Sequence, residues 1–316
     1  MSRLVAIEDF KDLKIEDRTL FEMIYKNFPP EHSDYSFANL FCWKDYANYR
    51  IAVVERHILI LSSVGKRKSF LYPVGENSTK LIKKVLELAE MIEAYPLLEL
   101  VDISSKRFLE RHFPSLKLEP FRDCYDYVYL AEDLAHLPGK AYLNHRNLIN
   151  RFKRRHNYTM EPISEENMKE VTKFLERWCI WRDCEGNPML EAEKTAVFRA
   201  MKFFKELGLE GIAVKVEGEC QAISVYEPLN KDTAVVHFEK ADPDLKGLYQ
   251  IVNQETAKIL KKRFTYINRE QDLGIAGLRK AKTLYRPHHF IEVFNLWSLS
   301  EEKNCPKKFG VIPNRD

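Results

Sequence analysis

Two acid–base clusters and one basic run carry the side chains that could do chemistry. In VVHFEKADPDLKGLYQIVNQETAKIL, Val235 to Leu260, His237 stands two residues before Glu239. On a strand that spacing puts both side chains on one face, where a His–Glu pair can move a proton or simply hold a structural hydrogen bond. The same stretch reads as a strand, a polar loop with one glycine, and a long helix. Such a junction presents free backbone N–H groups and the positive end of a helix dipole, which suits a phosphate. Lys246 and Gly247 open the helix, and Tyr249 and Asn253 lie four apart on it, placed to face a cleft. Asp242 and Asp244 oppose an anion unless they point away, and an ordinary β–α connection is the plain alternative. In the following NREQD, Asn268, Glu270 and Asp272 alternate after a strand and share one face if the chain stays extended.

The basic run precedes both clusters. Between Asp133 and Glu161 there is no acidic residue, while Lys140, Arg146, Arg151, Lys153, Arg154 and Arg155 lie among His136, His145 and His156. On a helix, Arg146 shares a face with Asn150, Arg151 with Arg155, and Arg154 joins Arg151 and Asn147 in a second polar row. Leu148, Ile149 and Phe152 supply the core side. Such a helix could reach the phosphates of a tRNA acceptor stem or of a nucleotide cofactor. It could equally be a solvated face, or pack one half of the chain on the other.

The elements that must position these groups can be read along the chain. Helical periodicity marks about 20–27 and 79–94. Short strands are expected at 50–54, 57–62 and 68–72, then at 98–101 and 126–130. The aromatic segment 36–45 has no clear period. Leu137-Pro138-Gly139 punctuates the chain. Helices follow at 141–156, 167–184 and 191–207, then strands at 211–217, 220–228 and 233–239. A helix at 247–262, a strand at 265–268, a short helix near 274–285 and a strand at 290–295 complete the pattern. Each half runs helices, antiparallel strands, a helix and a returning strand, which predicts two related α/β units without a residue-level repeat.

Composition bounds the function. The 316 residues are 45% apolar and 31% charged with net charge +3, a globular balance and too little charge to imply nucleic-acid binding by itself. The acidic N-terminus lacks an apolar leader block, and no run matches a membrane-spanning helix, so a cytoplasmic protein without membrane insertion is expected. Cys42, Cys124, Cys179, Cys184, Cys220 and Cys305 fit no redox or zinc spacing and are read as buried or free thiols, with no metal assigned.

The segments LPGKAYLNHRNLINRFKRRHNY, VVHFEKADPDLKGLYQIVNQETAKIL and NREQDLGIAGLRKAKTLYRPHHFIEVFNLW, in this order, resemble a family grouped with the C-terminal catalytic domain of phosphatidylglycerol lysyltransferases. The likeness covers Leu137 to Trp297 well and the first half more weakly. It implies an α+β fold of two tandem GNAT-like domains, each a mixed, mostly antiparallel sheet flanked by helices, as in Fem-type ligases. The expected units are 1–136, 137–300 with the active site, and a tail 301–316. Both groups of relatives move an aminoacyl group from aminoacyl-tRNA to an amine or hydroxyl acceptor without a metal. That chemistry needs a base, donors for an oxyanion and a cradle for the donor's phosphates. Glu239, Asp272 and His237 are the candidate proton carriers, and Lys280 or Lys282 could orient a carbonyl or a tRNA 3′ end. Arg269 and Arg279 are candidates for phosphate, and the resemblance gives weight to Asp272, Arg279 and Lys282. The leading expectation is therefore a soluble acyltransferase using aminoacyl-tRNA, with a small-molecule or peptide acceptor and no required cofactor. An acyl-CoA-dependent N-acyltransferase and a non-catalytic nucleotide-, RNA- or protein-binding module are the alternatives.

Overall fold

The computed structural model describes residues 5–182 and 186–297. Two seven-stranded sheets organise the chain. The strands of the first half are β1 (Lys11–Asp12), β2 (Arg50–Val54), β3 (His57–Val64), β4 (Arg67–Val74), β5 (Leu98–Asp102), β6 (Lys117–Pro120) and β7 (Asp126–Leu130). Those of the second are β8 (Tyr158–Pro162), β9 (Glu210–Val216), β10 (Glu219–Pro228), β11 (Thr233–Ala241), β12 (Tyr266–Asn268), β13 (His289–Ile291) and β14 (Val293–Trp297). The helices are α1 (Arg18–Tyr25), α2 (Phe37–Cys42), α3 (Lys44–Ala47), α4 (Thr79–Met91), α5 (Ile103–His112) and α6 (Ala131–His136), followed by α7 (Leu143–Arg155), α8 (Met168–Trp181), α9 (Pro188–Lys202), α10 (Leu248–Leu260) and α11 (Ala276–Leu284).

Both sheets follow one plan. β2, β3 and β4 are antiparallel neighbours, α4 crosses over, and β5 joins β4 in parallel. β9, β10 and β11 repeat this, α10 crosses over, and β12 joins β11 in parallel. The duplicated element order read from the sequence is thus a duplicated topology. The next position in each sheet is filled from the other half of the chain. β14 lies between β5 and β6, and β7 lies between β12 and β13. The halves on either side of residue 136 therefore trade strands, and each sheet is incomplete without the other half.

This exchange explains one departure from the sequence pattern. The single strand expected over 290–295 is two strands in different sheets, because the chain leaves β13 beside β7 and enters β14 beside β5. The unassigned segment 36–45 forms α2 and α3, where the Ser36 hydroxyl caps α2 by accepting from the Asn39 N–H at 3.0 Å. β1, β6 and β8 add to the expected strands. Their side chains are largely exposed, so no apolar alternation marks them.

Alternation sorts the side chains into layers. Ile58 and Ile60 of β3 join a central core with Val171 and Phe174 of α8, Val197 of α9, and Ile223 and Phe238 of the second sheet. Leu59 and Leu61 face the opposite way, onto Leu81, Val85 and Leu88 of α4. On the far side of the second sheet, Ala222, Tyr226 and Val236 pack against Leu248, Ile251 and Val252 of α10 and Ile149 and Phe152 of α7. The central core is shared, so the two sheets are one packed body. Cys42, Cys124, Cys179 and Cys220 are buried, while Cys184, Cys305 and the 301–316 tail lie outside the described residues. Among the described residues no helix is long and apolar enough to cross a membrane.

Candidate functional site

The parallel pairing of β11 with β12 is short, running only from Thr233↔Tyr266 to Val235↔Asn268. β11 continues to Ala241 along β10, whereas the chain after Asn268 turns away, so a gap opens between the two strands. The matching gap between β4 and β5 is bridged by Tyr35, whose hydroxyl reaches Tyr72 O at 3.3 Å and Leu100 O at 3.1 Å. In the second sheet the gap is lined by charged and amide groups instead. Arg269 Nη2 donates to Glu239 Oε1 at 2.9 Å across it, and Asn253 Nδ2 of α10 donates to Glu239 Oε2 at 3.2 Å.

Three polar atoms around this pair are buried without a hydrogen-bond partner: Arg269 Nη1, Asn253 Oδ1 and His145 Nδ1. The guanidinium lies over the Tyr285 ring at 4.9 Å from its centroid, and the His145 ring packs on the same tyrosine at 4.2 Å. Burial works against the Arg269 charge, but Glu239 overcomes it and holds the group firmly protonated. Burial, helped by Arg269, lowers the His145 pKa and keeps that imidazole neutral.

His237 and Glu239 have separate partners. The β10–β11 register shifts so that Tyr226 faces Val236 while Val225 faces Phe238, which leaves His237 as the extra residue of a β-bulge. The regular alternation behind the expected shared face is broken there. His237 Nδ1 meets Glu270 Oε1 at 2.8 Å and its Nε2 meets Glu227 Oε1 at 2.9 Å. Carboxylates only accept, so both ring nitrogens carry protons and the group is an imidazolium. Burial opposes that charge, and the two carboxylates reverse the effect and push the pKa up to about 10. A group raised in the folded state contributes stability that is complete below its unfolded pKa near 6.5 and is lost as pH rises through about 10. His237→Gln should therefore lower the urea midpoint at pH 6.5 and flatten its fall between pH 7 and 10. Equal pH slopes for the two proteins would contradict a charged His237 held between Glu227 and Glu270.

The NREQD loop departs from an extended strand because Glu270 and Leu273 adopt left-handed φ of 57° and 52°. Asn268, Glu270 and Asp272 consequently point to different partners. Asn268 Nδ2 donates to Asp126 Oδ2 at 2.7 Å, Glu270 takes His237, and Asp272 is fully buried under donors. Tyr127 Oη reaches Asp272 Oδ2 at 2.6 Å, Arg279 donates from Nε at 2.8 Å and Nη2 at 2.7 Å, Arg122 Nη1 stands at 3.3 Å, and the Gly274 N–H at 2.8 Å. Burial alone would raise this carboxyl, but Arg279 and Tyr127 hold it below its usual range. A carboxylate so saturated suits a loop clamp better than a base. Arg279 spends its donors on Asp272 and on Asp123 Oδ1 at 2.8 Å rather than on a phosphate. Lys282 Nζ donates to Arg269 O at 2.5 Å and Gln271 O at 2.6 Å, and burial brings its pKa down to about 8. It fixes the backbone that carries Arg269.

The expected donor-binding residues divide. Arg151 and Arg154 are exposed on α7, as is Lys246 beside the start of α10. Arg146 instead turns back onto the carbonyls of Leu137 and Gly139. Gly247 has φ of +106°, and a Cβ there would meet Leu148 O at 2.7 Å and Phe152 Cβ at 3.1 Å. Close packing of α7 accounts for that glycine, so it says nothing by itself about phosphate. Asp242 Oδ1 accepts the Asp244 N–H at 2.9 Å, which folds this carboxylate into its own loop. Tyr249 Oη lies 3.4 Å from Trp178 Nε1, so of the two helix positions expected to face the cleft, Asn253 is the one that meets Glu239.

Sequence reasoning misses the first-half residues that anchor this loop. Ser33 donates to Asp126 from its N–H at 2.6 Å and its hydroxyl at 2.9 Å, and Gln271 Nε2 donates to Asp34 Oδ1 at 2.8 Å. It also passes over Tyr127, Tyr285 and His145 as site residues. Tyr127 and Asp126 are visible in the sequence only as members of a strand expected to stay with the first half.

Comparison with known proteins gives this geometry a family. Residues 25–296 match the model described as phosphatidylglycerol lysyltransferase, C-terminal, and the chain belongs to that family. A conserved protein of unknown function from Bacteroides thetaiotaomicron is 32% identical, with a TM-score of 0.82 over 91% of this chain and 98% of that one. L-PGS from Bacillus licheniformis shares the fold at TM-score 0.61 and 16% identity, over 90% of this chain and 94% of that one. FemX shares it at TM-score 0.57 and 11% identity, over 90% and 96% of the two chains. The fold is thus the tandem GNAT-like arrangement. The chain spans about half the length of the curated relative it matches, an uncharacterized protein of Mycoplasmoides gallisepticum 24% identical over 170 residues.

Proposed function

We propose that this member of the lysyltransferase C-terminal family is an acyltransferase that moves an aminoacyl group from aminoacyl-tRNA to an amine or hydroxyl acceptor. The observation that carries the reading is Arg269 Nη1, a charged donor buried without a partner beside Glu239 in the gap between β11 and β12. A preorganised donor of this kind is what an oxyanion needs. In this reading the ester carbonyl lies against Nη1. The acceptor attacks its carbon while Glu239 removes the acceptor's proton. The ester C–O bond then breaks, and the departing ribose oxygen takes that proton back from Glu239. Lys282, Asp272 and Arg279 position the loop, and His237 secures Glu270. The donor's phosphates follow Lys246 and the exposed Arg151 and Arg154, near the N-terminal end of α10 where the helix dipole is positive.

Filter retention of bulk aminoacyl-tRNA at low and moderate salt tests the donor. Every phosphate that a variant no longer neutralises should reduce the slope of log affinity against log salt by about 1. The Arg151→Glu/Arg154→Glu double variant should accordingly weaken retention at low salt and show a shallower slope by about 2. Stabilisation by acetyl-CoA with no retention of charged tRNA would replace this reading by a CoA-dependent one.

A further inference from the structure

We propose that Asn253, His145 and Arg269 form a subsite that reads a hydroxyl group immediately beside the reacting carbonyl, namely the free ribose hydroxyl adjacent to the ester at the 3′ end of an acylated RNA. The inference rests on the acyl-transfer reading of the Glu239–Arg269 pair and assigns a ligand group to Asn253 Oδ1 and His145 Nδ1, which that reading leaves unused, and to the second N–H of Arg269 Nη1. Glu239 can only accept, so the Asn253 amide must turn its Nδ2 toward that carboxylate and its Oδ1 away. That oxygen is buried on a residue only 3% exposed and has no partner. His145 Nδ1 is in the same condition on a residue 7% exposed.

Leaving such groups unpaired is costly, so something that can both accept and donate is expected between them. Arg269 Nη1 offers a proton, Asn253 Oδ1 requires one, and the neutral imidazole of His145 can do either. An ammonium would meet the Arg269 guanidinium. A phosphate or carboxylate would meet Asn253 Oδ1 and the Glu239 carboxylate. A hydroxyl satisfies both demands, and Tyr285, on which both the Arg269 guanidinium and the His145 ring pack, holds two of the three groups at one place.

Position selects the donor. Asn253 and Arg269 hold the two oxygens of one carboxylate, so the hydroxyl must lie next to the reacting carbonyl. In an RNA 3′-ester the neighbouring ribose hydroxyl is vicinal to the acyl oxygen. In an acyl-CoA the ribose is separated from the thioester by the whole pantetheine arm, so no hydroxyl of that sugar reaches the place.

The test uses the full chain and a CCA-ended RNA minihelix carrying an alanyl group through a stable 3′-amide, made with either a 2′-hydroxyl or a 2′-hydrogen on the terminal adenosine. Wild type should retain the hydroxyl form about tenfold more tightly, the effect of one well-made hydrogen bond. Asn253→Leu should bind both forms as weakly as wild type binds the deoxy form. His145→Phe, which keeps the ring contact with Tyr285, should give a partial loss and serves if Asn253→Leu melts early. Equal retention of the two minihelices by wild type overturns the subsite and makes its occupant a structural water, while leaving the RNA donor intact. Failure to retain either minihelix, with acetyl-CoA stabilising the protein, overturns the donor and the subsite together.

Discussion

Asp272→Ala is expected to lower folding stability by about 3 kcal/mol, near the bottom of the range for breaking a buried ion pair. The carboxylate is completely buried and gathers Arg279, Arg122, Tyr127 and the Gly274 N–H. Removing it leaves two guanidinium groups facing each other without their common acceptor. The cost stays near the lower bound because Arg279 and Arg122 are each about two-fifths exposed and can turn to water. A urea melt reads the loss directly. The pH dependence has a definite sign as well. A carboxyl held low in the folded state adds stability above its unfolded pKa near 3.9 and gives it up as pH falls below that value. The wild type should therefore lose more stability than Asp272→Ala between pH 4 and 2. A variant as stable as wild type, yet inactive, would return Asp272 to the role of proton carrier that its place in the NREQD motif suggests.

How much of this is legible in the sequence depends on which physical signal each residue leaves. The periodicity of Leu81, Val85, Leu88 and Ala89 marks α4, and all four are buried on it. The spacing of Leu148, Ile149 and Phe152 separates the core side of α7 from its exposed arginines. Glu239 and Asn253 can be selected because their side chains lie on regular elements whose geometry follows from residue number. Three kinds of information are not local. The bulge at His237 depends on how β10 registers against β11, and it divides a pair that ideal alternation would unite. The left-handed turns at Glu270 and Leu273 occur at residues that do not advertise a positive φ. The exchange of β7 and β14 places Tyr127 and Asp126 under a loop more than 130 residues later, as the Tyr127–Asp272 contact shows with a separation of 145. Apolar pattern fixes that a strand is buried, and not which sheet buries it.

The largest expected effect on activity belongs to the Glu239–Arg269 pair, and its two members should fail differently. A labelled aminoacyl-tRNA with hydroxylamine as a surrogate acceptor gives an enzyme-dependent hydroxamate that can be followed before the natural acceptor is known. Arg269→Met removes the only charged donor placed against the carbonyl in this reading and should slow that reaction about 10²–10³-fold. The loss should be the same for any acceptor, since the oxyanion is common to all of them. Glu239→Gln retains a hydrogen-bonding side chain of the same size but cannot remove a proton. With a primary alkylamine, an ammonium at pH 7 that must give up a proton before its lone pair can attack, the loss should reach about 10²–10⁴-fold. With hydroxylamine, already neutral at pH 7, the same variant should lose much less. The ratio of the two acceptors is therefore the informative quantity, because a general collapse of the site would depress both equally. Glu239 also anchors Arg269 and Asn253, so Glu239→Gln must melt close to wild type for the ratio to be read as chemistry. If Glu239→Gln slows both acceptors to the same degree as Arg269→Met, Glu239 serves to orient the guanidinium and the proton goes elsewhere, with Lys282 next in line because its amine is half neutral near pH 8 and it binds the backbone of the same loop.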